Sequence, residues 1–187
     1  MLATALHFSH HLLKELVQPG NHVVDATMGN GNDTELLAQL VGKTGKVYAF
    51  DIQPSALENT KKRLIEADLA TRVQLILDGH EHLGNYLGVT EEIHAAIFNL
   101  GYLPKSDKSV ITLPETTKQA LDTLLVHLAK RGRIIIVAYY GHEGGAEELA
   151  TVRHYCSQLP QEKYNVLNYQ FINQKNQPPI LFCIERK

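Results

Sequence analysis

Val23-Val24-Asp25-Ala26-Thr27-Met28-Gly29-Asn30-Gly31-Asn32-Asp33-Thr34 is the stretch on which the reading of the whole chain turns. It continues from His22 as a short buried strand, His22–Asp25. Gly29 and Gly31 then turn the backbone into a helix whose Leu36, Leu37, Leu40 and Val41 share one face, with Gly42 as its C-cap. Glycines in such a turn let the backbone approach a ligand closely, and the helix N-terminus offers unpaired N–H groups. A phosphate-cradling loop would need Gly-Lys-Ser/Thr, which is absent. A dinucleotide fingerprint would place a third glycine where Thr34 stands. Asp25 lies four positions ahead of Gly29, where it would repel a diphosphate and attract an ammonium group.

Outward from this turn, strand-like and helix-like stretches alternate, the pattern of an α/β layered sheet. Residues 3–17 read as a helix carrying Leu6, Leu12, Leu13, Leu16 and Val17, stopped by Pro19-Gly20-Asn21. Lys46–Asp51 is a second strand. Gln53-Pro54 opens a helix with Ala56, Leu57, Thr60, Leu64 and Ile65 at helical spacing and Lys61, Lys62 and Arg63 on a solvated side. Val73–Leu77, Ile93–Phe98 and Arg133–Tyr139 are the third to fifth strands. A long helix with Ala120, Leu121, Leu124, Leu125 and Leu128 precedes the fifth, and Glu147–Leu159 is helical after it. Five βα units are therefore expected, then two strands, Tyr164–Phe171 and Ile180–Glu185. Residues 173–179 between them are too few for a parallel crossover, so that pair should be antiparallel. No repeat or linker divides the chain, and one domain spanning 1–187 is expected.

Chemistry in open α/β sheets collects at the carboxyl ends of the strands. Beside Asp25, the ammonium of the methionine part of S-adenosylmethionine (SAM) would be favourable. Asp51, twenty residues beyond Gly31, suits the two hydroxyls of an adenosine ribose, a spacing that by itself also suits NAD. Asp78-Gly79-His80 falls where an adenine edge would be met, the carboxylate accepting from the exocyclic amine. Asn99-Leu100-Gly101-Tyr102 is an analogue, without its prolines, of the Asp/Asn-Pro-Pro-aromatic tetrapeptide of methyltransferases that act on exocyclic nitrogens. Tyr139-Tyr140-Gly141-His142 forms a candidate substrate rim in which His142 can take a proton from an amine nucleophile. His7, His10 and His11 read mostly as surface residues of the first helix, with a place over the cofactor mouth as the alternative for His10, and Arg131 and Arg133 read as structural.

Composition narrows the remaining classes. The 187 residues carry 18 Lys plus Arg against 20 Asp plus Glu, a formal charge of −2 that disfavours a broad nucleic-acid clamp. Two distant cysteines make neither a disulfide framework nor a zinc knuckle, and the ten histidines show no metal-ligand spacing. There is no apolar run of about 18 residues and no signal-peptide pattern in MLATALHFSHHLLKEL, so a cytoplasmic location is expected. An NAD-dependent reductase is opposed by Asp25 and Thr34. A small-molecule N- or O-methyltransferase would share every cofactor residue. A SAM-binding module without catalysis leaves the polar, aromatic strand ends unexplained.

The order of motifs resembles the class I SAM-dependent methyltransferases over essentially the whole chain. In combination, DATMGNGNDT (25–34), FNLGYLP (98–104) and YYGHEGG (139–145) resemble a small bacterial family long labelled rRNA methylases. Its members are assigned as tRNA methyltransferases that convert wobble 5-aminomethyl-2-thiouridine to its methylaminomethyl form. The resemblance implies a Rossmann-like, seven-stranded mixed sheet of order 3-2-1-4-5-7-6, strand 7 antiparallel, with helices on both faces. It implies a SAM site lined by Asn30, Asn32, Asp51, Gln53 and His80, joined by Asp25, Gly29, Gly31, Asp78 and Gly79 from the turn and strand-end readings. Asn99 to Tyr102 and Tyr139 to His142 would form the acceptor side, and the anticodon loop of tRNA would be the partner. A chain this short leaves substrate recognition to strand-end loops, the first helix or a second copy in a symmetric dimer.

Overall fold

In the computed structural model, which describes residues 1–101 and 112–187, every described strand joins one sheet. The elements run α1 (Ala5–Leu16), β1 (His22–Asp25), α2 (Asn32–Leu40), β2 (Lys46–Asp51), α3 (Pro54–Glu66), β3 (Val73–Leu77), β4 (Ile93–Leu100), α4 (Pro114–His127), β5 (Leu128–Ala138), α5 (Gly145–Ser157), β6 (Tyr164–Tyr169) and β7 (Ile180–Arg186). The sheet order is β3-β2-β1-β4-β5-β7-β6. β7 runs antiparallel to both β5 and β6, and the other pairings are parallel. The expected order and closing hairpin are both present.

Alternating side chains explain why helices cover both faces. Val24, Phe50, Phe98, Ile134 and Ile136 point into a core closed by Leu121 and Leu124 of α4 and Val152 of α5. Their neighbours Val23, Val47, Ile97, Ile135 and Val137 point into a second core with Leu12 and Leu13 of α1, Leu37 of α2 and Leu64 of α3. The unbroken apolar run of β5 thus serves two cores at once, as a strand covered on both faces must. β6 is an edge strand on which Val166 and Leu167 stay exposed.

Four βα units are present, not the five expected. β3 reaches β4 through a 3-10 turn, His80–Asn85, followed by a loop. The intervening run contains Gly79, Gly84 and Gly88, and only Leu83 and Leu87 supply buried apolar side chains, too few for an amphipathic face. β5 begins earlier than expected, at Leu128 directly after α4, and ends before Tyr139. Arg131 in the left-handed region (φ 64°) turns the backbone within it.

Gly31 is the N-cap of α2 at φ 79°, and a Cβ there would lie 2.8 Å from the Thr60 side chain and 3.1 Å from its Cα. Gly31→Ala should therefore cost about 2–4 kcal/mol by strain and overpacking. Gly42→Ala, also left-handed at φ 66° but with Pro19 no nearer than 3.3 Å, should cost about 1 kcal/mol. Urea denaturation of the two variants measures the difference.

Candidate active site

The chain reverses its direction of winding between β1 and β4, which lie side by side with Asp25 opposite Ile97. That switch point opens a crevice at the strands' carboxyl ends, and the glycine turn lies over it. Asp51, ending β2, holds the turn from beneath: its Oδ2 accepts from Gly29 N at 3.0 Å and its Oδ1 from Gln53 N at 3.0 Å. Each carboxylate oxygen keeps a further lone pair for a ligand hydroxyl. From α3, Thr60 Oγ1 donates to the Gly29 carbonyl (3.0 Å) and Asn59 Nδ2 to Asn30 Oδ1 (3.1 Å). Arg63 donates through Nε to the Asn30 carbonyl and through Nη1 to Glu35, each at 2.9 Å. Arg63 is thus a clamp on the turn, not part of the solvated face its sequence neighbours suggest. Its forked guanidinium, which donates from Nε and Nη1 to two partners at once, distinguishes it from Lys61 and Lys62.

Asp25 is fully buried. Its Oδ2 accepts from Thr34 Oγ1 at 2.6 Å and its Oδ1 from Thr27 N at 3.2 Å. Thr34, the residue that broke the dinucleotide pattern, is therefore the internal partner of this carboxylate. Burial, followed by repulsion from Asp33, raises the Asp25 pKa from 3.8 to about 7. Folded Asp25 thus keeps a proton that the unfolded chain releases near pH 4. Its burial begins to cost stability as pH rises past that value, and the full cost is felt above pH 7. Asp25→Asn preserves both bonds, since an amide accepts from Thr27 N and donates to the Thr34 hydroxyl. We expect its melting temperature to exceed wild type at pH 8, with the gap closing toward pH 4, as thermal unfolding across that range would measure.

Asn99, near the end of β4, receives the most specific positioning. Its backbone N–H donates to Thr27 Oγ1 at 2.7 Å, and its Nδ2 donates to Asp33 Oδ2 at 2.6 Å. A carboxylate can only accept, so Asp33 fixes the amide orientation and turns Asn99 Oδ1 away from itself. That oxygen has no partner among the described residues. The other Asp33 oxygen lies 2.6 Å from Nε2 of His10 on α1, which is not a simple surface histidine. Sequence reading missed Asp33, and it offered His10 a place over the cofactor mouth without this carboxylate partner. Asp33 was visible only as one more acidic residue in the first helical turn.

The adenine-side residues have internal partners. Asp78 accepts from Gly79 N, His82 Nδ1 and Tyr86 Oη, each at 2.8 Å, and these bonds hold its carboxyl below the usual range. One lone pair on Oδ2 is left for an exocyclic amine. His80 is buried edge-on to Phe98, donates from Nδ1 to the Ala26 carbonyl at 3.0 Å, and leaves Nε2 buried as an acceptor without a partner among the described residues. Burial lowers its pKa, so it is a neutral acceptor.

On the acceptor side, β4 and β5 bring Leu100, Gly101, Tyr139 and Tyr140 together. A Cβ on Gly101 would lie 3.3 Å from Tyr139 Cβ and 3.5 Å from His142 Nε2. His142 donates from Nδ1 to the Glu143 carbonyl at 2.9 Å, and its ring also fills the space over Gly145. Buried Glu148 of α5 accepts from Thr112 and Thr117, and Thr112 Oγ1 accepts from Gly101 N, which anchors the end of β4. Tyr102 lies outside the described residues. Asn32 is exposed at the start of α2.

Asp25, Asp33 and Asp51 make the crevice acidic. That favours a donor carrying ammonium and sulfonium charges and disfavours a pyrophosphate. Asp51's spare lone pairs and the orphan acceptor of His80 fit the hydroxyls and amine of an adenosine. Among the described residues no acidic or histidine cluster could hold a metal ion, and no helix is long and apolar enough to cross a membrane.

The family model described as "Putative rRNA methylase" matches residues 47–185. The chain is 36% identical to the chloroplastic tRNA (mnm(5)s(2)U34)-methyltransferase of Arabidopsis thaliana, over 98% of this chain and 70% of that protein. A crystal structure of a "putative rRNA-methylase" from Clostridium thermocellum matches with 46% identity and a TM-score of 0.97, all of both chains being covered. Streptococcus mutans SMU.1697c, solved in complex with SAH, matches with 42% identity and a TM-score of 0.91, again over the whole of both chains. The acidic crevice, the adenosine-type acceptors and these relatives agree: the chain is a SAM-dependent methyltransferase and belongs to this rRNA-methylase family.

Proposed function

We propose that the enzyme methylates the amine of wobble 5-aminomethyl-2-thiouridine in tRNA, recognising the anticodon loop. The observation that carries this reading is the orientation of Asn99. Its Oδ1 is a hydrogen-bond acceptor at the end of β4, fixed by the Asp33 carboxylate behind it. An acceptor there can bind an N–H nucleophile and aim the nitrogen lone pair at the methyl group. The Arabidopsis relative, named for this same modification of U34, supports the choice of acceptor.

SAM supplies an electrophilic methyl group on a sulfonium, which leaves as a neutral thioether. When the donor is bound, Asp25 would lie toward its ammonium, Asp51 would hold its ribose, and Asp78 and His80 would meet its adenine. Asn99 Oδ1 holds one amine hydrogen, while Tyr139 and Tyr140 offer aromatic surface to the base. Positioning provides most of the acceleration, since no acid is needed at sulfur. On this reading the enzyme works on tRNA in the cytoplasm of a bacterial cell.

If Asp25 holds the ammonium, SAH binding must release its proton. Affinity in the wild type should then rise between pH 6 and pH 8, whereas Asp25→Asn should bind more weakly without that rise; calorimetry at three pH values distinguishes the two. Nucleoside mass spectrometry of tRNA from a deletion strain tests the acceptor. Accumulated aminomethyl-thiouridine supports the assignment, and an unchanged profile rejects it.

A further inference from the structure

We propose that His10, held by Asp33, is the base that removes the proton from the acceptor ammonium; this rests on the amine reading above. An aminomethyl group is an ammonium in water and must be neutral to attack, so some group at the site has to take a proton. One carboxylate bridges the two residues concerned. Asp33 Oδ1 lies 2.6 Å from His10 Nε2, and Asp33 Oδ2 accepts from Asn99 Nδ2 at 2.6 Å. Since the carboxylate only accepts, Nε2 carries the hydrogen and Nδ1 is left with the basic lone pair. A histidine oriented by a carboxylate, beside the residue that binds the nucleophile, has the geometry of a positioned general base.

Exposure separates His10 from the other histidines of this edge. The His10 side chain is 27% exposed and Asp33 only 9%, so the base can pass its proton to water while its orienting partner stays desolvated. His142 has Nδ1 committed to the Glu143 carbonyl and Nε2 buried against Gly101 and Gly145. His82 also pairs with a carboxylate, Asp78, but at the end of β3, across β2 and β1 from Asn99. The charged and titratable groups facing the dyad are Asp25 at the end of β1 and Tyr139 after β5, both of which feel the Asp33 charge. On α1 itself, His7, His11 and Lys14 lie within a turn.

The step balances. His10 Nδ1 takes one proton from R–NH3+ to give R–NH2 and imidazolium. The amine lone pair forms the N–CH3 bond as the S–CH3 bond breaks, its electron pair remaining on sulfur. The product leaves as the secondary ammonium, and the imidazolium returns its proton to water.

The test compares wild type, His10→Gln, His10→Ala and Asp33→Asn. Glutamine keeps an N–H for Asp33 but cannot accept the proton. His10→Gln should keep the wild-type melting temperature and SAH affinity within about twofold, yet lose about a hundredfold in kcat at pH 7. That deficit should shrink as pH rises and the amine becomes neutral unaided, and added imidazole should restore part of the His10→Ala activity. Independently of turnover, imidazole nitrogen NMR of the cofactor-free protein should show the Nε2–H tautomer at His10, lost in Asp33→Asn. A pH-independent deficit, near-normal kcat in His10→Gln, or the opposite tautomer would overturn the base while sparing the acceptor assignment. A wild-type enzyme that methylates no aminomethyl-thiouridine would overturn the acceptor assignment and the base with it.

Discussion

Asn99→Ala is expected to lower kcat at least a hundredfold while changing SAH affinity by less than about threefold. On the proposed function, the substitution removes the acceptor that binds the amine without touching the turn that would hold the donor. A misdirected nitrogen lone pair loses the near-attack geometry, and fixed polar groups at a reacting centre are worth on the order of a hundredfold to a thousandfold each. The backbone bond from Asn99 N to Thr27 survives the change, so β4 should end where it does now. Asp33 Oδ2 loses its donor, but Oδ1 keeps His10. Asn99→Asp provides the sharper comparison. A second carboxylate against Asp33 would share a proton or repel it, so activity should fall with rising pH rather than recover. Steady-state kinetics with SAH calorimetry checks both; an Asn99→Ala enzyme with near-normal kcat would remove Asn99 from the acceptor site.

Asp51→Ala is expected to weaken SAH binding about a hundredfold while leaving kcat at saturating SAM within about threefold. On the proposed donor site, two ribose hydroxyls lose a carboxylate acceptor, each bond being worth about 1.5–3 kcal/mol, and 1.4 kcal/mol is a factor of ten in affinity. The same carboxylate ties Gly29 N and Gln53 N together, so the turn itself should loosen. Asp51→Asn separates the two contributions. Its amide oxygen can keep one backbone bond, and affinity should fall between wild type and alanine. If Asp51→Ala binds SAH normally, the ribose is held elsewhere.

The two predictions probe opposite sides of one acidic crevice, and the sequence showed them to different degrees. β1, the glycine turn and the run of β5 were legible because short continuous apolar runs and turn glycines are local signals. The closing hairpin was legible from loop length alone. The number of βα units was not, since five strands suggested five units while the glycines and sparse apolar residues after β3 leave that strand without a helix. At the site, Asp51 and Asn99 could be found because each ends a strand. Asp33, His10 and Arg63 could not, because their roles depend on helix packing that brings residues 10, 33 and 99, or 30 and 63, into hydrogen-bond range. Thr34 shows the converse case. It looked like a departure from a fingerprint and is the partner that lets Asp25 be buried.

Charge offers the same lesson on a larger scale. A net charge of −2 suggested little affinity for nucleic acid. Yet two of the carboxylates that set it, Asp25 and Asp33, are buried in the donor crevice, so they do not present themselves to a phosphate backbone. Burial first, and then repulsion from Asp33, raise Asp25 toward neutrality, a local effect and not one felt at the surface.

The most direct measurement incubates the purified enzyme with methyl-labelled SAM and tRNA bearing wobble 5-aminomethyl-2-thiouridine, then digests the RNA and separates the nucleosides by mass spectrometry. The proposed function predicts label in the methylaminomethyl nucleoside and none there with Asn99→Ala. Label confined to another nucleoside, or no transfer to this tRNA by an enzyme that binds SAM, would contradict it.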